Sequence, residues 1–330
     1  MHLRNNMKHY NIPIFVPHLG CPHDCVFCNQ VKITGLSTDV TPESAETIIF
    51  QHLNTLPEDA DIEVAFFGGS FTGIPVDVQK SLLETAYKYV LSGEISGIRL
   101  STRPDYISEE ILIMLKSYGV TTIELGVQSM SNEVLSANER GHTDTDVINA
   151  CTLIKQYGFT LGVQMMTGMY GSDSGADINT AKRLIALEPD IVRIYPTIVI
   201  ENTKLCRLYK SGAYTPPSLD ETVDLCAVLY KMFTEEGITV IRMGLQSTDL
   251  INENAEFIAG PYSSCFGELV LSRIERDKLE NMAKTAKDKK LTVYVSPCDI
   301  SKTVGYKREN IRYIKEKYDI DIEVKSNEFA

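Results

Sequence analysis

Three cysteines, Cys21, Cys25 and Cys28, stand at C-x3-C-x2-C spacing within eight residues. Thiolates are soft ligands suited to zinc or to iron–sulfur clusters. Three of them in one loop suit a 4Fe-4S cube in which three irons take cysteines and the fourth stays open. An open iron can chelate the amino and carboxylate groups of S-adenosylmethionine, and an electron from the cluster can then cleave the sulfonium. Zinc is the competing metal. It prefers four protein donors at a structural site, and His18 or His23 could complete a Cys3His set. Such sites usually draw two ligands from a distant second pair, and no second C-x2-C occurs in this sequence.

The thiols need a scaffold, and a strand-then-helix rhythm supplies one. Ile12–Val16 reads as a strand with the cysteine loop leaving its C-terminal end. Strands are expected at Ile62–Phe67, Gly97–Ser101, Val120–Leu125, Thr160–Met165 and Ile191–Tyr195. Helices are expected from Thr41 to about Leu56, then at Val76–Val90, Ser108–Tyr118, Thr145–Tyr157, Ala176–Leu187 and Leu219–Thr234. Thr41-Pro42 reads as a cap followed by proline at the first helical position. Six such units imply an α/β fold with parallel strands under right-handed crossovers. Polar or glycine-rich groups recur at the strand ends, which favours a barrel over a doubly wound sheet, with the chemistry in the loops at the C-terminal ends. After a further strand-like run, Ile238–Met243, the rhythm changes. A helix from about Glu268 to Lys289, the runs Leu291–Ser296 and Ile320–Val324, and a helix near Arg308–Tyr318 read as a small α/β appendage. The division expected is a barrel with its cluster loop over 1–249 and an appendage over 250–330.

Composition narrows the function. The 330 residues carry a net charge of −12, which argues against broad, nonspecific contact with nucleic acid while leaving room for a local basic patch. No apolar run approaches the length of a membrane span, and the first residues lack the apolar segment of a signal peptide. Beyond the clustered three, Cys151, Cys206, Cys226, Cys265 and Cys298 are scattered, which is no disulfide framework and fits a reducing cytoplasm.

The cysteine spacing, with Phe27 just before Cys28, resembles the signature of the radical S-adenosylmethionine superfamily. The resemblance implies a partial (β/α)6 barrel, a 4Fe-4S cluster on Cys21, Cys25 and Cys28, S-adenosylmethionine as cofactor, and a reducing electron donor such as flavodoxin or ferredoxin. Gly68-Gly69-Ser70 ends the second strand. Paired glycines let backbone approach a ligand; the segment resembles the superfamily's Gly-Gly-Glu, with Ser70 in place of the glutamate. Ser101, Arg103 and Asp105 end the third strand, where hydroxyls and a guanidinium could serve the ribose or the carboxylate, or Arg103 and Asp105 could set the turn. Glu124 sits in a strand between apolar residues and is not expected to stay buried unless paired or functional. The run Leu125–Arg140 looks like the corresponding stretch of oxygen-independent coproporphyrinogen oxidases. That likeness assigns Gln128 to the ribose and Arg140 to the carboxylate of S-adenosylmethionine. Gln164 falls where those relatives have a ribose-binding aspartate.

The segments Met165–Gly171, Ile194–Leu205, Leu208–Pro216 and Gly260–Leu269 resemble the radical half of the catalytic subunit of Elongator and its free-standing bacterial relatives. That subunit works on the wobble uridine of transfer RNA with acetyl-coenzyme A. It carries an acetyltransferase-like domain, which is not expected here because the sequence ends roughly 60 residues past Glu268. Tyr195, Cys206 and Cys265 are candidate catalytic hydrogen donors, each with ordinary packing as the alternative. The substrate is expected between Tyr195, Thr197, Glu201 and the Tyr262–Phe266 loop. Net charge favours a small metabolite or coenzyme A thioester. Transfer RNA is the alternative, served by the basic segment around Lys307 and Arg308, and a zinc-stapled binding protein is the reading from another class.

Overall fold

Alternation decides the strands. Ile98 and Leu100 flank Arg99, Ile123 and Leu125 flank Glu124, and Val192 and Ile194 flank Arg193. Successive side chains of an extended chain take opposite faces, so each strand presents aliphatic residues to one side and a charge to the other. The computed structural model describes residues 8–16, 25–28, 40–57, 59–245 and 257–327. In it β1 (His9–Val16), β2 (Asp61–Gly68), β3 (Gly97–Thr102), β4 (Val120–Gln128), β5 (Thr160–Thr167), β6 (Ile191–Pro196) and β8 (Thr239–Met243) form one seven-stranded sheet in that order. Every pairing is parallel, and β1 and β8 are left as edges, so the curled sheet is an open partial barrel, as expected. The short β7 (Val199–Ile200) leaves the rim and pairs antiparallel with β9 (Phe257–Ala259).

Helices α1 (Pro42–Leu53), α2 (Val76–Ser92), α3 (Glu109–Ser117), α5 (Asp144–Gln156), α6 (Ser174–Ile185) and α8 (Leu219–Glu235) cover the outer face. The main core lies between them and the aliphatic side of the sheet, where Leu100, Leu125, Leu161 and Ile194 meet Leu82, Leu112, Ile154 and Phe233. Cys151 and Cys226 are in this core, where burial pushes both thiols up to about 12. The Thr41 cap is a full capping box with Ser44, and Pro42 opens the helix. Two short helices, α4 (Asn132–Ala137) and α7 (Lys204–Lys210), were not foreseen; each is set by one hydroxyl cap, Ser131 and Thr203, too local to show periodicity. No helix among the described residues is long and apolar enough to cross a membrane.

The other face of the sheet is a charged lumen. Glu124 accepts from Arg193 (Nε 2.6 Å, Nη2 3.0 Å) and from Arg99 (Nη1 3.2 Å), and Arg99 in turn binds Glu63 (2.6 Å). Thr121 donates to the second Glu63 oxygen at 2.7 Å, and Arg193 lies over the Phe67 ring. Gly162 gives the carboxylate its room: a Cβ there would stand 2.7 Å from Glu124 Cγ.

The C-terminal part hangs on α9 (Phe266–Thr285). Its first half, through Phe266, Val270 and Ile274, belongs to the main core; its second, through Leu279 and Ala283, belongs to a smaller core with Val293, Ile314 and Ile322. That smaller core is closed by the parallel pair β10 (Lys290–Val295) and β11 (Asp321–Ser326), joined through α10 (Ile300–Val304) and α11 (Glu309–Tyr318). The border expected at 249/250 lies outside the described residues.

Removing one partner of a buried charge cluster strands the others without solvent. Glu124→Ala is expected to cost about 3–5 kcal/mol of folding stability, read as a lower midpoint in urea unfolding of the variant. A loss below about 1 kcal/mol, the scale of an exposed pair, would show that the lumen charges do not depend on it.

Candidate functional site

Because the sheet is parallel, the ends of β1 to β6 form one rim, and the cysteine turn is fastened to it. Cys28 N–H donates to Cys25 O at 2.9 Å, closing the turn. Val26 between them is held on both sides: its N–H donates to Asn138 O (3.2 Å), and its carbonyl accepts from Leu205 N–H (2.7 Å). Its side chain packs in a small apolar cluster with Val199, Leu205, Cys206 and Tyr214, against which Phe27 also lies. Cys21, His18 and His23 lie outside the described residues, and among the described residues no three His, Cys, Asp or Glu are grouped to hold a metal.

Arg140 connects this turn to β4. Its Nη1 donates to Cys25 Sγ at 3.3 Å and its Nη2 to Gly126 O at 2.6 Å, while its buried Nε has no protein partner. Arg103 holds Arg140 from behind: it donates from Nη2 to the Arg140 carbonyl (2.5 Å) and is itself fixed by Asp105 at 2.9 and 3.0 Å. Gln128 sits at a bulge where β4 slips one residue against β5, and it takes φ +69°. Bulges re-aim side chains, and the left-handed backbone of a non-glycine is kept where surrounding structure enforces it. The Gln128 Oε1 is buried without a protein partner. His142 donates from Nε2 to Val127 O, and burial first, then Arg140 and Arg103, lower it to about 4, so the ring is neutral at neutral pH.

Ser70 occupies the position of the expected glutamate and does a different job. Its hydroxyl meets Thr102 Oγ1 (2.8 Å) and accepts from the Arg103 N–H (3.2 Å), tying the end of β2 to the end of β3. Gly69 N–H donates to Val16 O, so the glycine pair is fixed to the strand from which the cysteine loop departs. Gln164 donates from Nε2 toward Ser101 Oγ (3.2 Å) and Glu124 Oε2 (3.1 Å). Cys25, Gln128 and Arg140 thus form one cluster. Gly68, Gly69, Ser70 and Arg103 frame it, and Ser101, Glu124 and Gln164 lie deeper, joined to the charged lumen.

The expected hydrogen donors are not gathered in one place. Tyr195 points along the lumen side of β6 and interacts with Arg193; burial raises its phenol, with Arg193 pulling the other way. Cys206 lies in the apolar cluster beneath the cysteine turn. Cys265 starts α9, its sulfur 3.3 Å from Ser263 Oγ. The 260s loop does reach the end of β6: Pro196 and Ile198 line one small cleft with Pro261, Tyr262 and Phe266, and Thr197 beside them keeps a buried hydroxyl with no protein partner.

Thiols on one turn, a guanidinium on one sulfur, and buried unpartnered atoms on Gln128, Arg140 and Thr197 fit an iron–sulfur cluster with a carboxylate- and hydroxyl-bearing ligand. A cavity of about 900 Å³ lies to one side, lined by Thr167, Met169, Asp177, Tyr214 and Leu225, and none of the expected site residues lines it. Asp177 holds its wall, accepting from Gly168 N–H (2.9 Å) and Ser172 Oγ (2.6 Å). Sequence reasoning missed Asp177, Asn138, Arg99 and Arg193. Arg99 and Arg193 carried a usable signal, the same charge between two aliphatics that singled out Glu124; Asn138 carried none.

The family model of the radical SAM superfamily matches residues 15–183, and that of the Radical_SAM C-terminal domain matches residues 189–276. The tRNA uridine(34) acetyltransferase of Methanocaldococcus jannaschii is 28% identical over 297 residues, covering 78% of this chain and 54% of that protein. Elongator complex protein 3 of Homo sapiens is 31% identical over 199 residues, covering 54% of this chain and 36% of that protein. The solved structure of Methanocaldococcus infernus Elp3 with an N-terminal deletion superposes with TM-score 0.67 at 24% identity, covering 83% of this chain and 64% of that one. The chain spans about half the length, or less, of these curated relatives.

Two outcomes follow from this geometry. Arg140→Ala in anaerobically reconstituted protein is expected to weaken S-adenosylmethionine binding by roughly 1.5–3 kcal/mol, the worth of a charge-assisted hydrogen bond, with the brown cluster absorption kept. Calorimetric titration giving an unchanged affinity would remove Arg140 from the site. Burial raises the Asp177 carboxyl to about 6. A raised acid binds its proton more tightly folded than unfolded, so its contribution is full below pH of about 4 and is lost as pH rises through about 6. Asp177→Asn removes that loss. Relative to the native chain, the variant is expected to gain on the order of 2–3 kcal/mol between pH 4 and 7, measured by urea unfolding across that range; a pH-independent difference would contradict it.

Proposed function

Because this chain belongs to the radical SAM superfamily, and its likeness to tRNA uridine(34) acetyltransferases runs over 78% of its length, we propose that this radical enzyme acts on transfer RNA, at the uridine of position 34. The extent of that likeness carries the reading. Net charge alone favoured a small molecule or coenzyme A thioester, but charge is averaged over the whole surface, whereas recognition depends on the rim.

The group that Cys25 and Cys28, with Cys21, would hold is a 4Fe-4S cluster, which together with S-adenosylmethionine supplies reductive cleavage of the sulfonium and a 5'-deoxyadenosyl radical able to take an unactivated hydrogen. The chain's own residues bind and orient. Arg140 presents a fixed cationic fork for the cofactor carboxylate, and Gln128 a buried carbonyl oxygen for a ribose hydroxyl. Gly68-Gly69, having no side chains, would let the methionyl end approach the backbone closely. Thr197 offers a hydroxyl at the end of β6, beside Tyr195, where the reacting carbon of the substrate would lie. The 260s loop lies against this end of the sheet, where Gly260 comes close to Thr197 and Ile198. A small reducing protein such as flavodoxin or ferredoxin would deliver the electron to the cluster.

The reading is tested by anaerobic turnover of labelled S-adenosylmethionine with a cell extract divided into RNA and small-molecule fractions. Formation of labelled 5'-deoxyadenosine is expected to rise several-fold with transfer RNA, and with deuterated RNA the 5'-deoxyadenosine should gain deuterium. Stimulation by the small-molecule fraction alone would overturn the transfer RNA assignment.

A further inference from the structure

The appendage carries a surface that nothing in the cofactor site explains. Most of its lysines are neutralised locally: Lys317 binds Glu280 at 2.8 Å, Lys315 binds Asp321 at 3.0 Å, and Lys302 binds Asp299 at 3.0 Å. Lys307, Arg308 and Arg312 differ. All three are exposed, and among the described residues none has a carboxylate within 4.0 Å. The neighbouring acid, Glu309, makes no ion pair with them among the described residues, and its charge acts on Arg273 of α9. Beside them Tyr306 is 60% exposed, with Lys307 Nζ over its ring at 5.2 Å.

This segment is also held in a shape that its residues do not favour. Lys307 (φ 48°, ψ 35°) and Arg308 (φ 62°, ψ 30°) are consecutive left-handed residues. Residues with a Cβ avoid that region, and pairs of them persist only where the surroundings impose it. Here the imposing group is Asn310, 2% exposed, whose Nδ2 lies 2.9–3.2 Å from the carbonyl oxygens of Ser272, Lys302 and Thr303. Gly305 (φ +78°) lets the chain close onto it, since a Cβ there would stand 2.9 Å from Asn310 Cγ and 3.0 Å from Ser272 Oγ. The cations and the tyrosine therefore stand on a rigid projection rather than a free loop. Ser272 lies roughly 9 Å along α9 from Phe266 at 1.5 Å per residue, and Phe266 packs against Gly244 at the end of β8. The projection is thus anchored to the rim side of the barrel.

We propose that Tyr306, Lys307, Arg308 and Arg312 form a docking surface for the phosphate backbone of transfer RNA, an inference that rests on transfer RNA being the substrate. Unmatched positive charge with an exposed ring, in a chain of net charge −12, is complementary to a polyanion with accessible bases. A fixed spacing of cations suits a folded RNA better than a mobile anionic surface, because the ordering cost is already met in the free protein.

The test compares the native chain with the Lys307→Ala/Arg308→Ala/Arg312→Ala triple variant and, as a control, Lys315→Ala. Each is loaded with its cluster anaerobically and titrated with unfractionated transfer RNA over a range of salt. Loss of about three phosphate contacts should weaken binding at least tenfold near 0.1 M salt and flatten the log–log salt slope by roughly 2–3. The Lys315 variant should bind as the native chain does, and S-adenosylmethionine cleavage without RNA should be unchanged in all three. A native chain that binds transfer RNA while the triple variant keeps the same affinity and slope overturns this surface and leaves the substrate reading standing. A native chain that does not bind transfer RNA overturns the substrate reading and this inference with it. Binding of phosphatidylserine vesicles that depends on these residues, with RNA binding unaffected, assigns the patch to a membrane and also overturns it.

Discussion

The carboxylate of Glu124, shared between the guanidinium groups of Arg193 and Arg99, is the interaction on which the barrel depends. A buried charge is tolerated only when paired and hydrogen-bonded. Here the pairing runs across the lumen from Glu63 on β2 through Arg99 on β3 and Glu124 on β4 to Arg193 on β6. Aliphatic contacts on the outer face would tolerate small shifts between strands. The ionic chain does not, because a slip of one residue would turn each charge into the helix-facing core. Register along the sheet, and with it the relative height of the strand ends, is therefore set from inside.

That fixed rim lets ordinary residues assemble a demanding site. Ser70 and Thr102 tie β2 to β3, Arg103 carries the tie to the backbone of Arg140, and Arg140 reaches both β4 and the cysteine turn. The turn is closed by Cys28 N–H on Cys25 O and is also held through both backbone groups of Val26. Arg140 meets the turn at Cys25 Sγ, so one guanidinium links the cysteine turn to β4. Gln128 stands at a bulge of β4 and Thr197 at the end of β6, and each keeps a buried oxygen without a protein partner. Preorganisation of this kind is what binding and orientation of a reactive cofactor require.

The two cores meet on one helix. The first half of α9 packs with the barrel and the second with the β10–β11 unit, so the appendage cannot drift freely relative to the rim. A ligand spanning both would find its two contact surfaces already at a set separation.

The sequence by itself determined the parallel α/β rhythm, the placement of the cysteine loop after the first strand, and the polar character of nearly every strand end. Each of these follows from local periodicity, caps and composition, which act over a few residues. It also marked Glu124 as a charge needing a partner, but not which partner. Arg193 lies 69 positions away and Arg99 lies 25 positions away, and only closure of the sheet brings them to the same carboxylate. The contact of Arg140 with Cys25, across 115 positions, and the grip of Asn138 on Val26 arose in the same way. Ser70 shows the limit most directly. Its residue type announced the loss of an acid, while its use as a strap between two strand ends was decided by where Thr102 and Arg103 stand in the folded rim, a relation that no spacing along the chain encodes.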